Sequence, residues 1–136
     1  KIFENASYII HAGDFVQLAV AEEFERIAPV VGVYGNMDPI SVREKYPRVN
    51  SLEVAGWKIG VVHDSWIFKS GLRKIAKQND FDVLIFGHSH RGSVMEEDGV
   101  LYVNPGSPTH PLFSTASVAV LRVSRGKAEA DIIALQ

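Results

Sequence analysis

Four times along the chain a short apolar run stops at a polar residue able to hold a metal ion or a phosphate. "YIIHAG" stops at Asp14, "VGVYG" at Asn36, "IGVV" at His63, and "LIFG" at His88, with His90 just beyond it. Runs of this length rich in Val, Ile, Phe and Tyr read as buried strands. Carboxylates, amides and imidazoles are poor core material, so one end of each strand must meet a polar environment. A fold of the α/β class meets that demand, because its ligands sit beyond the carboxyl ends of the strands. His88 and His90 lie two apart, a spacing that sends both rings to the same side of an extended segment.

The stretches between the runs fit such a fold. In "FVQLAVAEEFERIA" (15–28) the residues Phe15, Leu18, Ala19, Phe24 and Ile27 lie on one stripe, which predicts a helix ended by Pro29. After Pro39, "SVREKYP" reads as a loop with about one helical turn. "NSLEVAGWKIGVVHD" reads as two strands joined at Ala55-Gly56. Ser70 is placed to cap an amphipathic helix, "GLRKIAKQN", that leads into the run ending at His88. Beyond that point the pattern becomes antiparallel, with hairpin turns at Asp98-Gly99 and around Arg125-Gly126. Strand–helix alternation followed by hairpins predicts a mixed sheet with helices outside it and a second sheet packed behind.

Composition narrows the function classes. A chain of 136 residues is one domain's worth and can bury a real core. A net charge of −2 supplies no basic field for duplex nucleic acid, so a nucleic-acid partner is not implied. With no cysteine there is no disulfide, thiolate nucleophile or cysteine-type zinc finger. No apolar run approaches the roughly 20 residues of a membrane span, so the expected location is the cytoplasm. Self-association into a homo-oligomer is compatible with this sequence.

Each polar strand end has an ordinary explanation when taken alone. Gly-Asp is commonly a turn or a helix cap, Gly-Asn a tight turn, and a single histidine a hydrogen-bonded surface group. Jointly and in order, they are better explained by one site. Asp14, Asn36, His63, His88 and His90 make a mixed oxygen and nitrogen donor set. It suits Mn²⁺, Fe²⁺, Co²⁺, Ni²⁺ or Zn²⁺ better than Ca²⁺ or Mg²⁺. Asp38 and Asp64 read as groups that orient a ligand. His11 reads as a packed strand position and not as a ligand.

The ordered pieces "HAGD", "GNMD", "VVHD", "GHSH" and "NPGS" (Asn104 to Ser107) resemble the calcineurin-like metallophosphoesterases, and especially their small prokaryotic phosphodiesterases. The resemblance runs over nearly the whole chain from Ser7. It implies a four-layer α/β/β/α sandwich, two mixed sheets flanked by helices, formed by residues 1–136 as a single domain. It also implies two divalent ions, with manganese expected first, roughly 3.5–4 Å apart. Asp14 then matches the carboxylate that bridges them. Asn36, His63 and His88 match the other ligands of one ion, and His90 a ligand of the second. The implied reaction is hydrolysis of a small-molecule phosphodiester by a hydroxide held between the metals, with Asn36 and His63 also beside the phosphate. "NPGS" is expected to be a structural turn, since Pro105 fixes φ and Gly106 can take a positive one.

This sequence departs from that family in three places. The family's opening strand, which ends in Asp-x-His, is not found, and "KIFENA" reads as the tail of a helix already under way; the first strand is therefore expected upstream of Lys1. Asp64 stands where glycine is usual after the histidine, which can also mean that a loop is missing there. Met37 stands where some members carry a proton-donating histidine. A rival from another class is a non-catalytic scaffold, since the metallophosphatase-like subunit of the retromer coat resembles the closing "GHSH…VNPGS" segment. Asn36 favours the enzyme, and the absent Asp-x-His favours the scaffold. Trp57, Trp66 and Phe68 could line a partner surface, though core packing is the expected use for at least one of them.

Overall fold

Both halves of the pattern are present in the computed structural model, which describes residues 7–11, 22, 25–34, 38–63, 69–87, 93–105 and 117–134. The first apolar runs form β1 (Ile9–His11) and β2 (Val30–Gly32), which pair in parallel. The charged stretch after Pro39 is more than one turn: it forms α1 (Ile40–Lys45). There Val42 and Tyr46 pack against Val30 and Tyr34, so burial of two apolar residues stabilises a segment of weak intrinsic helicity. A five-stranded sheet follows, in the order β3 (Val49–Val54), β4 (Trp57–Val62), β5 (Val83–Phe86), β7 (Val100–Asn104), β6 (Ser93–Glu97). The chain closes with the hairpin β8 (Ser117–Ser124) and β9 (Lys127–Ala134).

Period-two alternation sends each strand's residues into two different cores. Ile59 and Val61 of β4, Val83 and Ile85 of β5 and Val103 of β7 face one way. They meet Ala119, Leu121 and Val123 of β8, Ala128, Ala130 and Ile132 of β9, and Ile10 and Val31 of the β1–β2 pair. Val62, Leu84 and Tyr102 face the other way, toward α2 (Lys69–Asn79). That helix brings Leu72, Ile75 and Ala76, the i, i+3, i+4 stripe of an amphipathic helix. The result is the α/β sandwich that the sequence implies, with helices outside and two sheet layers facing across one apolar core.

Ser70 is not the cap of α2, because it lies inside the helix. The other end is well defined. Asp80 adopts φ 56°, its N–H donates to the Lys77 carbonyl at 3.3 Å, and the Phe81 N–H donates to the Ala76 carbonyl at 2.9 Å. That pair of bonds is a Schellman ending. It turns the Phe81 ring into the helix-side core, over β4, where a Cβ on Gly60 would run into it.

Candidate functional site at one rim of the sheets

Strand direction decides which ends coincide. β4, β5 and β7 are mutually parallel, with Val62 beside Phe86 and Ile85 beside Val103. His63, Gly87 and Asn104 therefore leave the sheet at one edge. In the other pair His11 lies beside Gly32, so β1 and β2 also end together. β3 joins the two groups. The Asn50 side-chain amide donates to the Gly32 carbonyl at 3.1 Å, and the Tyr34 N–H donates to the Pro47 carbonyl at 3.1 Å. Those bonds run in opposite chain directions, so β2 lies antiparallel to β3. β3 is antiparallel to β4, with Asn50 opposite Val61. Hence β2 points the same way as β4, and the carboxyl ends of β1, β2, β4, β5 and β7 share one rim. The strands whose ends carry the five candidates are parallel, but they form two pairs separated by β3 instead of one continuous ladder.

Polar burial gathers at that rim. Among the described residues the buried polar side chains are Asp38, 5% exposed, His63, 3%, and Asn104, 1%. His63 directly follows β4, Asn104 ends β7, and Asp38 lies in the connection between β2 and α1. No buried side-chain nitrogen or oxygen among the described residues lacks a hydrogen-bond partner, as the cost of desolvating such groups requires. A buried imidazole at a strand end cannot relax toward solvent.

Of the five candidate ligands, His63 is described; Asp14, Asn36, His88 and His90 lie outside the described residues, as do Asp64, Met37, Trp66, Phe68, Gly106 and Ser107. Among the described residues alone, no three His, Asp or Glu side chains come together as a metal cluster. Trp57 is half-buried against the inter-sheet core, and its indole N–H donates to the Ser124 carbonyl at 2.8 Å. Asn104 belongs to the rim in its own right. "VLYV" running into Asn104 is a fifth instance of the apolar run with a polar end, masked in the sequence by the stronger hairpin signal at Asp98-Gly99.

The end of α1 is tied to the segment before β2. Tyr46 of the α1 core donates its hydroxyl to Glu25 Oε1 at 2.9 Å, and the same carboxylate pairs with the Lys45 ammonium. Burial, reinforced by the Glu25 hydrogen bond, holds the Tyr46 hydroxyl well above the ordinary tyrosine range. The hydrogen bond from Lys45 and then that from Tyr46 pull the Glu25 carboxyl below its usual value.

The model of the calcineurin-like phosphoesterase superfamily domain matches residues 1–126. The chain belongs to that superfamily. A probable metallophosphoesterase of Methanothermobacter thermautotrophicus is 36% identical over 135 residues, covering 96% of this chain and 77% of that protein. A phosphodiesterase of Methanocaldococcus jannaschii is 32% identical over 130 residues, covering 87% of this chain and 77% of its own length. The solved structure of an archaeal phosphodiesterase superposes with a TM-score of 0.75 at 29% identity, covering 96% of this chain and 85% of that one. A single mutant of Vps29 from Entamoeba histolytica superposes with a TM-score of 0.80 at 19% identity, covering 99% of this chain and 87% of that one; that likeness is one of fold. Among the described residues no helix is long and apolar enough to cross a membrane.

Proposed function

We propose that this calcineurin-like phosphoesterase is a metal-dependent phosphodiesterase acting on small phosphodiesters in the cytoplasm, its 136 residues working as a single metallophosphoesterase-like domain. The observation that carries the proposal is the shared rim. Asp14, Asn36 and His88 with His90 follow β1, β2 and β5 in sequence, and those strands end at the same rim as β4, which the buried His63 follows. The donor set gives one divalent ion four protein ligands, while a second would have Asp14, shared, and His90, fewer than the three typical of a catalytic metal site. Histidine nitrogens with a carboxylate and an amide oxygen suit manganese first, then iron, nickel, cobalt or zinc. Bound there, such ions would supply a water of lowered pKa and would neutralise charge on the phosphate oxygens.

The chain's own residues have separable tasks. Asp14 would be the shared ligand, its negative charge drawing cations to the rim. Asn36, His63 and His88 would complete one position, and His90 would serve the other. His63 is buried, which restricts the reorientation of its imidazole. Asn36 and His63 would also contact the scissile phosphate. No side-chain nucleophile is required, in keeping with a chain that has no cysteine. The archaeal relatives named for metallophosphoesterase and phosphodiesterase activity support this reading over that of a non-catalytic scaffold.

The experiment is hydrolysis of an aryl phosphodiester with added Mn²⁺, with and without chelator. Chelation should abolish turnover. Asp14→Ala should cost more than Asn36→Ala, because the carboxylate serves both ions. Equal rates for wild type and Asp14→Ala would refute the proposal in favour of the scaffold.

A further inference from the structure

Two groups of strands contribute to the rim, and they do not belong to one ladder. β1–β2 is a sheet of two short strands, and β3 opens the five-stranded sheet. In β2 the odd residues bond toward β1, as the Val33 N–H does to the His11 carbonyl at 3.2 Å. Alternation then turns Gly32 and Tyr34 toward β3. Tyr34 finds a backbone partner there, the Pro47 carbonyl. Gly32 is buried, and its carbonyl receives the side-chain amide of Asn50 at 3.1 Å. The same side chain accepts from the Ser51 N–H at 2.8 Å, which leaves the amide one orientation, nitrogen toward Gly32.

We infer that Asn50 is a positioning residue for the metal site: its amide substitutes for a ladder bond and keeps the rim of β1–β2 in register with the rim of β4 and β5. This rests on the proposed phosphodiesterase reading, in which ligands from both groups must meet at ionic distances. Asn50 stands opposite Val61, two residues before His63, and it holds Gly32, four residues before Asn36. A displacement between the sheets at this point therefore becomes a displacement between Asp14 and Asn36 on one side and His63, His88 and His90 on the other. Metal sites respond strongly to such support, because bond lengths are fixed within a few tenths of an ångström. Asparagine is specifically required. Aspartate has the same shape but offers Gly32 an acceptor, so two oxygens would face each other.

Asn50→Asp and Asn50→Ala test this, beside Trp57→Phe as a control. Trp57→Phe also removes one hydrogen bond between layers, to the Ser124 carbonyl, but at the end of β4 away from the rim. Mn²⁺ affinity is measured by calorimetry, the Mn²⁺ electron paramagnetic resonance spectrum is recorded, and thermal midpoints are compared. Both Asn50 variants should lose about tenfold in Mn²⁺ affinity, the size typical of lost support to a ligand, and should show an altered spectrum. Trp57→Phe should lower the midpoint similarly and change neither metal readout. If the aspartate variant does not fold, the alanine variant, which adds no charge, is read alone. Wild-type affinity and spectrum in a folded Asn50 variant would overturn the inference, as would an equal loss of affinity in Trp57→Phe. Absence of Mn²⁺ binding by the wild type would instead overturn the phosphodiesterase reading itself.

Discussion

The two ends of the sheets are built on opposite principles. At the end away from the rim, β3 and β4 are joined by Ala55-Gly56, β6 and β7 by Asp98-Gly99, and β8 and β9 by Arg125-Gly126. The first two turns have positive φ at both central residues, 53° and 85°, then 51° and 80°. That is the type I′ conformation, whose twist matches that of the flanking strands. At the rim the connections are longer, and Asp38, His63 and Asn104 are buried. One end closes the chain with minimal structure; the other places polar groups where desolvation is costly and only function or mutual hydrogen bonding returns the cost. The comparison separates the two demands within one sheet: local geometry stabilises the closed end, and chemistry occupies the open one.

Replacing groups at each end should therefore affect different observables. His63→Ala should produce the largest change, a loss of at least about 100-fold in Mn²⁺-dependent hydrolysis, since it removes a ligand and not merely its support. Its thermal midpoint should change far less than its rate. A rate near wild type would remove the rim's chemical role.

Gly60→Ala probes the middle of β4, between the two ends. The new methyl meets the Phe81 ring, so the helix-side core must shift, at about 1–3 kcal/mol of stability measured by urea unfolding. Hydrolysis per folded molecule should remain. Loss of activity without loss of stability would show that the rim is coupled to the core beneath it.

Tyr46→Phe probes the strap outside the rim. The Tyr46 hydroxyl titrates above its ordinary value of 10.0 in the fold, so the proton is held more tightly folded than unfolded. Its contribution is complete below pH 10 and is lost as pH rises toward the raised folded value. Glu25, lowered from 4.5, acts in the opposite sense: its contribution is present above that pH and is lost as pH falls through the folded value. The phenylalanine variant should be less stable at neutral pH by about 1 kcal/mol, the value of one hydrogen bond, and should decline less steeply above pH 10. Parallel pH profiles for the two proteins would show that the fold holds the Tyr46 proton no more tightly than the unfolded chain does.

The smallest effect is expected at the closed end. Ala55 holds φ 53°, a conformation that a Cβ disfavours and asparagine tolerates. Ala55→Asn should raise stability by about 0.5–1 kcal/mol with no effect on hydrolysis. A loss of stability would mean that the turn is held by something other than its own backbone.

The sequence by itself determined whatever depends on neighbours in the chain. Strand alternation, the stripe Leu72, Ile75, Ala76 and the turns at Ala55-Gly56 and Asp98-Gly99 are local properties, and they were legible. So were the residue types at the strand ends, including His63, because a polar residue closing an apolar run is visible without a fold. Ser70, expected as the cap of α2, instead lies inside the helix, because a cap is set by where the helix meets its surroundings and not by residue type alone. α1 was underestimated for the same reason: Val42 and Tyr46 gain from burial against Val30 and Tyr34, which no propensity reports. Tertiary structure alone decided that five strand ends share a rim, since parallel or antiparallel sense depends on pairing between distant segments. It also gave Asn50, a residue with no distinguishing mark in the sequence, the buried Gly32 carbonyl as its partner 18 positions away. A hydrogen bond across that separation depends on where two sheets meet, and their meeting is fixed by the core between them, not by either strand.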